Sequence, residues 1–396
     1  MIRLVAALLI ATPFAGLAGW PLTSANSFVQ AYVQPSVEAV VWTGDHPTPG
    51  LGRWDDDAFF APRLRLKADA SAGSHLFLHV NAALDRGFDP GSRADGETRL
   101  DEAILRWRLF EDERLNIQLG KFASFFGGWI PQHDFFDDAF LLAPLPYSQI
   151  VGVQTRDPAA LSPGAITARS AGRAPAFATL DKQNWASTIW GPNYACGVAA
   201  FGSTEHFDYA VEFRNAGLSA HPDSWEELNF ANPTVTARLG YRPDASWAFG
   251  ISGSHGSYVE KGAPLVRFDR GSLERSSAGF DARWSHHSLI ISGELIYSTF
   301  ETLAAGDLET VAWYLQTRWK VAPGFWIAGR FGQILANDAS GTGDAGTEWQ
   351  PDIWRAEAAV GWRITSQLLF KASYAHTEGD AAAGHDLLGF GLGYQF

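Results

Sequence analysis

Hydrophobic and polar residues alternate along most of this chain with a period of two. In the stretch TVAWYLQTRWKV, the large apolar side chains Val311, Trp313 and Leu315 fall on one parity. Gln316 and Arg318 fall on the other parity. This alternation is typical of a β-strand with one apolar and one polar face. The alternating runs span about 10–14 residues, which suits tilted membrane-spanning strands better than the shorter strands of soluble proteins.

Collecting these runs predicts sixteen strands, of which the first is interrupted by Pro35. The predicted strands cover residues 30–42, 59–70, 74–84, 98–110, 114–122, 193–202, 206–216, 233–242, 246–256, 276–285, 288–300, 309–320, 324–337, 352–364, 367–378 and 386–396.

The connections between the predicted strands alternate between short and long. Seven short turns and eight longer loops are what sixteen strands need when both termini lie on the same side of a membrane. We therefore predict an all-β fold, a transmembrane antiparallel up-and-down β-barrel of about sixteen strands. The alternative is a soluble β-sandwich or propeller, whose apolar faces would pack on another sheet.

The two ends of the chain fit this prediction. Residues 1–18 combine the basic Arg3 with a short apolar run and small residues, which favours a secretory signal peptide, with a buried helix or membrane anchor as the alternative. The barrel would then cover residues 19–396. The last stretch, DLLGFGLGYQF, places Leu392, Tyr394 and Phe396 on one parity and glycines on the other. We expect Phe396 to close the barrel against the first strand, with the glycine parity facing water.

Composition and charge narrow the range of functions. The net charge of −13 argues against a nucleic-acid partner, which requires a basic face. The single cysteine, Cys196, excludes an intrachain disulfide and multi-cysteine zinc or haem sites. The sequence contains no nucleophile-elbow, zinc-protease, phosphate-loop or dinucleotide-binding motif, so we expect neither enzyme activity nor a cofactor.

In its signal segment, its sixteen predicted strands and its terminal Phe396, the chain resembles the Gram-negative outer-membrane porins over nearly all of its predicted mature length. The closing GLGYQF is similar to the C-terminal strand by which such barrels are recognised for insertion. The segment LGKFASFFGGWIP resembles a Gly-Lys-Phe stretch of the phosphate-selective porin-like group. The resemblance implies an outer-membrane location, contact with outer-membrane lipid and lipopolysaccharide, and a homotrimer.

The long connection over residues 123–192 is the first candidate functional segment. In the porins that this chain resembles, the third loop folds into the barrel and narrows it. The segment is too apolar for a solvated loop, so an inward fold is expected, with packing outside the barrel or at a subunit contact as the alternative. The candidate constriction residues are Phe125, Trp129, His133, Asp134, Asp137 and Asp138. The last four lie in or beside HDFFDD, where a metal site is less favoured than an acidic patch or constriction wall.

The charged residues of the strands form the second candidate. A charge facing lipid at mid-membrane costs about 2–4 kcal/mol for Arg or Lys, so strand charges should face the lumen. The predicted lumen parity carries sixteen basic residues. Nine of them form the candidate basic wall: Arg63, Arg65, Lys67, Arg106, Arg108, Arg318, Arg330, Arg355 and Lys371. The other seven are Arg114, Arg214, Arg238, Arg242, Arg283, Lys320 and Arg363. The acids on the same parity are Glu38, Asp69, Glu102, Asp208, Glu212, Asp281, Glu294 and Glu357. An excess of base over acid in the wall predicts a mild anion preference, unless neighbouring charges pair and cancel.

By resemblance to general porins, the aspartates of the third loop would face the basic wall and set up a field across the channel. Acids in the predicted outer loops, among them Asp55 to Asp57, could bind divalent cations that bridge to lipopolysaccharide, or simply solubilise the surface.

The function predicted from the sequence is therefore a water-filled channel for passive diffusion of small anionic or neutral solutes. The alternatives are a substrate-specific phosphate or sugar channel, a barrel sheath around a partner such as a periplasmic cytochrome, and, last, a barrel-embedded lipid hydrolase. A sheath would need a wide lumen without an inserted third loop.

Overall fold

The structure is a computed structural model, and it describes residues 20–22, 28–44, 58–86, 96–155, 162, 165–166, 185–219, 230, 233–259, 273–303, 305–339, 347–379 and 382–396. The predicted signal peptide and the outer-loop acids Asp55 to Asp57 lie outside these residues.

Sixteen antiparallel strands form the wall of a closed barrel, as predicted. The first eight are β1 Val29–Gly44, β2 Ala58–Ala72, β3 Leu76–Asp85, β4 Glu97–Arg108, β5 Asn116–Phe122, β6 Ala195–Ser203, β7 Phe207–Arg214 and β8 Thr234–Tyr241. The second eight are β9 Trp247–Ser257, β10 Glu274–His286, β11 Leu289–Phe300, β12 Leu308–Ala322, β13 Phe325–Ala336, β14 Ile353–Arg363, β15 Leu368–Gly379 and β16 Ala382–Gln395.

The shorter elements are not among the sixteen wall strands. The two-residue strand Trp20–Pro21 pairs with the start of β1. Strands Ile150–Gln154 and Trp185–Ser187 form a small hairpin within the third loop, and Asp338–Ala339 pairs with Thr347–Glu348. The third loop also contains a 3₁₀ turn, Ile130–Gln132, and a single helical turn, Leu145–Ser148. No helix among the described residues is long and apolar enough to cross a membrane.

The barrel closes between its first and last strands. Ser36 of β1 lies opposite Gln395 of β16, and the Phe396 amide donates to the Pro35 carbonyl at 3.0 Å. Pro35 therefore sits where the β1–β16 ladder ends, which is a position at which a strand can accommodate proline. The predicted closure by the C-terminal strand is confirmed.

Most strand bounds differ from the prediction by only a few residues, and two differences matter. β16 begins at Ala382, four residues before the predicted start, so β15 and β16 are separated by two residues rather than by a long loop. A register shift between β3 and β4 places both Asp101 and Glu102 toward the lumen side, which strict alternation does not allow.

The outward face is the apolar face, as the pattern predicts. Large residues such as Leu64, Ile251 and Leu315 leave about half of their surface exposed there, where lipid would cover them. Trp247, Trp319 and other aromatic residues are exposed near the turn end of the barrel, the position expected of an interfacial girdle. The opposite parity points inward and positions the candidate site.

Candidate functional site: the lumen and its inserted loop

The third loop lies inside the barrel. It leaves the wall after Phe122 of β5 and returns at Ala195 of β6. Phe126 and Tyr147 are completely buried, and Trp129 is nearly so, in one cluster with lumen-facing Ile296 and Tyr314 of the wall. The apolar side chains that made a solvated loop unsuitable therefore pack inside the barrel against the wall.

Glu294 of β11 is the main acceptor for the loop. Its carboxylate accepts the amide N–H of Trp129 at 2.6 Å and that of Gly128 at 3.0 Å. It also accepts the hydroxyl groups of Tyr147 at 2.5 Å and of Tyr314 at 2.8 Å. Hydrogen bonds to a charged group contribute about 1.5–3 kcal/mol each, so this buried carboxylate fixes the loop at mid-lumen.

Cationic wall residues hold the loop by its backbone carbonyls. Lys371, with no exposed surface, donates to the carbonyls of Asp138 at 3.0 Å and Phe140 at 2.9 Å. The other pairs are Arg330 with Leu142 at 2.6 Å, Arg355 with Ala143 at 2.6 Å, Arg363 with Phe136 at 3.1 Å, Arg214 with Asn193 at 2.7 Å, and Arg275 with Thr188. We call these six cations and Glu294 the loop clamp.

The glycines of β16 form a seat for the loop and do not face water, contrary to the prediction. A Cβ at Gly393 would lie 2.5 Å from a ring carbon of Phe135, and one at Gly391 would lie 2.7 Å from the Leu141 side chain. Such separations are far below van der Waals contact, so only glycine lets the loop approach the closing strand this closely.

The acidic segment of the loop meets the wall on β2. Asp134 binds Arg65 at 2.6 Å and also Lys67. Burial alone would raise the pKa of Asp134, but the two cations outweigh it and hold this pKa well below its usual range. The Asp138 carboxylate accepts the Trp129 indole N–H at 2.9 Å, whereas the Asp137 side chain is exposed. The predicted meeting of loop acids with the basic wall therefore occurs, at Asp134 as direct ion pairs.

His133 lies next to Asp134 in a half-buried position. Its Nδ1 lies 2.6 Å from the Ile130 carbonyl oxygen, and its Nε2 lies 2.6 Å from the Tyr194 hydroxyl. Because a carbonyl only accepts, the proton belongs on Nδ1, and Nε2 accepts the Tyr194 O–H. Burial lowers the pKa of His133, which keeps the ring neutral at pH 7.

Several members of the predicted basic wall are neutralised within the wall. Arg63 binds Asp85 at 3.1 Å and Glu38 at 3.4 Å, and Arg108 binds Glu113 at 2.7 Å. Arg330 and Arg355 share Glu357, at 2.7 and 3.1 Å. These residues follow the alternative that the sequence left open, in which neighbouring charges of the wall pair and cancel.

Sequence reasoning missed three participants. Asp85 and Arg275 lie one residue beyond the predicted ends of their strands, and Asp101 lies at the register shift. Asp85 also binds Arg99, at 2.9 Å. Ala83 lies two positions before Asp85, and Ser277 lies two positions after Arg275, so both residues continue the lumen parity of their strands. Extending each predicted strand by one residue along this parity would have included Asp85 and Arg275.

A second group of lumen cations stays free of acid partners. Arg106, Arg283, Arg318 and Lys320 form no ion pair with any residue that the structure describes within 4.0 Å. All four lie on the lumen parity in the half of the wall nearest the turns, and Arg318 and Asp137 line the same small cavity of about 20 Å³. We call them the free cations.

A larger cavity of about 480 Å³ lies between the loop and the wall formed by β4 to β8. We call it the vestibule. Its lining includes Arg106 and Gln118 from the wall, Phe122 and Phe125 from the start of the loop, and Phe201 from β6. Of the predicted constriction residues, Phe125 and His133 lie on the vestibule, whereas Trp129, Asp134 and Asp138 belong to the clamped part of the loop.

The loop hairpin covers the interior near the outer loops. Val151, Val153 and Ala186 are buried against Phe300 and Trp349 in one apolar cluster. Within the described residues, no group of three or more His, Cys, Asp or Glu side chains could hold a metal ion. The arrangement is a barrel whose third loop lies in the lumen and is bound to the wall, with the vestibule left open beside it.

Comparison with known proteins relates this arrangement to one group of folds. No protein-family model and no curated sequence matches the chain. An anion-selective porin from Comamonas acidovorans matches with a TM-score of 0.59 at 10% identity, over 93% of this chain and 100% of that one. The outer membrane channel DcaP of Acinetobacter baumannii matches with a TM-score of 0.57 at 11% identity, over 96% and 100%. OmpT of Vibrio cholerae, an outer membrane protein in a trimer form, matches with a TM-score of 0.56 at 11% identity, over 93% and 99%.

These likenesses confirm the fold, which is that of the porins and channels of Gram-negative outer membranes. The narrower resemblance to the phosphate-selective group stays a prediction.

Proposed function

We propose that the chain is an outer-membrane channel that lets small hydrophilic solutes diffuse passively, with a mild preference for anions. Its fold is shared with an anion-selective porin and with other outer-membrane channels, which supports the general role. Selection would depend on size and on the electric field of the lumen, without covalent chemistry.

The free cations carry the anion preference in this proposal. Arg283, Arg318 and Lys320 stand on the lumen face of β10 and β12, and Arg106 stands on β4. The clamp cations, by contrast, are buried against loop carbonyls or paired with acids. Since fields are strongest where low-dielectric walls surround a narrow aqueous space, unpaired charges on the remaining lumen surface weigh most in selectivity.

A substrate-specific channel is the second candidate, and the loop clamp favours it. The loop contacts β2, β7, β11 and β13 to β15, so it narrows the lumen from several sides. A lumen occupied in this way suits slow, selective passage. It does not suit a sheath around a partner protein, which needs a wide lumen without an inserted third loop.

We further propose a homotrimer in the outer membrane, in analogy with the trimer form of OmpT. Chemical cross-linking of the protein in native membranes should then yield a species of three chains. A cross-linked ladder that stops at one chain would contradict the trimer without affecting the channel proposal.

The channel proposal is tested by planar-bilayer recording of the purified chain in a KCl gradient. We expect discrete conductance steps and a reversal potential of the sign that indicates chloride preference. The double variant Arg318→Gln/Lys320→Gln should reduce the chloride-over-potassium permeability ratio roughly two-fold, because two free cations are lost. Arg114→Gln is the matched control, since Arg114 lies in an exposed turn and binds Asp112 at 2.5 Å. Absence of conductance, or clear preference for potassium, would contradict the proposal.

A further inference from the structure

The vestibule has the dimensions and lining of a small-molecule site. Its volume of about 480 Å³ falls within the range of ligand pockets, roughly 300–1,000 Å³. Such pockets combine an apolar surface with a few placed polar groups, and the vestibule has both kinds of surface next to each other.

Three phenylalanines form the apolar surface. The ring centroids of Phe122 and Phe125 lie 6.2 Å apart, and those of Phe125 and Phe201 lie 5.1 Å apart. Phe122 is buried, whereas Phe125 and Phe201 keep part of their surface open to the cavity. A contiguous aromatic surface of this kind is suited to a ring or another flat apolar group.

Arg106 supplies the cationic group beside that surface. Its guanidinium lies over the Phe201 ring at 4.9 Å, and its Nη2 and Nε donate to Gln118 Oε1 at 3.0 and 3.3 Å. These contacts fix the plane of the guanidinium and leave its other N–H groups available. A planar guanidinium held in this way matches the two oxygens of a carboxylate.

The acids around the vestibule are engaged with other partners. Glu102 lies 3.4 Å from His79, Glu113 binds Arg108 at 2.7 Å, and Asp208 lies 3.5 Å from Arg242. The remaining cation of the lining, Arg238, is paired with Asp281. Arg106 is therefore the charged group of the lining that forms no ion pair within the described part of the chain.

We propose that the vestibule binds a small organic anion in which one carboxylate is joined to a flat apolar body. The carboxylate binds Arg106, and the body lies on Phe125 and Phe201. This inference names a solute class for the channel and to that extent rests on the proposed function. An inorganic anion would leave the aromatic surface unused, and an organic cation would lack a free acid to bind.

Benzoate is the probe for this site, used with the full chain in detergent and followed by titration calorimetry. We expect saturable binding of benzoate that is not reduced by a ten-fold excess of sulfate, which shares the charge, or of benzyl alcohol, which shares the ring. Equal competition by sulfate, or tighter binding of benzylammonium than of benzoate, would overturn the proposal. This part of the test needs no variant.

Two variants locate the site. Arg106→Gln should weaken benzoate binding about 10- to 100-fold, because a charge-assisted pair of hydrogen bonds is lost. Phe201→Ala should weaken it by about 5-fold or more through loss of ring contact. Arg114→Gln, in the exposed turn, is the matched control and should leave benzoate affinity unchanged. Unchanged affinity in a folded Arg106→Gln variant would place the binding elsewhere and overturn the assignment.

The outcome is independent of the conductance test. A chain that conducts KCl but does not bind benzoate would refute this site and leave the channel proposal standing. A chain that binds benzoate but does not conduct would refute the channel proposal alone.

Discussion

The wall of β10 to β15 and the wall of β4 to β8 carry the same kinds of side chain on their lumen faces. Apart from Arg214 of β7, which belongs to the loop clamp, the cations of the two walls have different surroundings. On the first wall, Arg330, Arg355 and Lys371 are buried against carbonyls of the inserted loop. On the second, Arg106 faces a cavity of about 480 Å³ and forms no ion pair with any described residue.

The difference shows that the role of a lumen cation depends on what lies opposite it. A strand arginine avoids lipid at either site. Where the loop arrives with unpaired carbonyls, the cation satisfies them and loses contact with water. Where the loop does not reach the wall, as at the vestibule, an arginine such as Arg106 remains available to bind a solute. On the first wall, Arg318 and Lys320 resemble Arg106, because they too form no ion pair with any described residue and lie toward the turn end of β12.

The variant expected to disturb the contrast between the two walls most strongly is Glu294→Ala. Replacement by Ala removes the acceptor of four buried donors, at a cost of about 1.5–3 kcal/mol for each hydrogen bond to the charged carboxylate. We expect the loop to leave the lumen, so that single-channel conductance rises several-fold. The control is Glu111→Ala, at an exposed turn position. Unchanged conductance in a folded Glu294→Ala protein would show that the clamp does not depend on this carboxylate.

A smaller effect is expected at Asp134. Asp134→Asn leaves Arg65 buried beside a neutral amide, and loss of one partner of such a pair costs about 3 kcal/mol. The thermal unfolding temperature should therefore fall by several degrees. Asp137→Asn, three residues away and exposed, should leave this temperature unchanged. Equal unfolding temperatures for the two variants would mean that the β2 contact adds nothing to the docking of the loop.

The smallest effect is a pH dependence at His133. Its pKa in the folded protein lies below the unfolded value of about 6.5, so the folded state binds fewer protons than the unfolded state. Stability should be complete above about pH 6.5 and fall as the pH is lowered, by at most about 1.4 kcal/mol per pH unit. Asp134 does not contribute in this window, because its depressed pKa matters only below about pH 4.

The measurement is the unfolding temperature at pH 7 and pH 5, for the wild type and for His133→Gln. The wild type should lose more stability than the variant over this interval. His286→Gln, at the exposed end of β10, is the control and should follow the wild type. A wild-type loss no larger than that of His133→Gln would exclude His133 as the source.

Much of the fold could be predicted from the sequence, because side-chain alternation is local information. The parity of Leu315 and Arg318 determines which face meets lipid, and one closed barrel satisfies all sixteen runs. The register shift at Asp101 and Glu102 could not be predicted, since an extra residue in one strand leaves no local signal there.

The partners inside the lumen could not be predicted for a different reason. Lys371 and the Phe140 carbonyl are 231 residues apart in the chain, and a carbonyl carries no side-chain signature. The glycines of β16 show the same limit. Alternation placed Gly391 and Gly393 on the lumen side, but only the folded loop shows that Phe135 covers them.

The most direct test of the contrast between the two walls is thiol labelling during single-channel recording, in a Cys196→Ala background. Ser203→Cys places a thiol on the vestibule lining, and Ser373→Cys places one on β15, where the serine hydroxyl accepts the Leu141 amide at 3.2 Å. The account predicts that a negatively charged methanethiosulfonate reagent lowers the current through Ser203→Cys channels and leaves Ser373→Cys channels unreacted. Labelling of Ser373→Cys at the same rate, with the same loss of current, would contradict it.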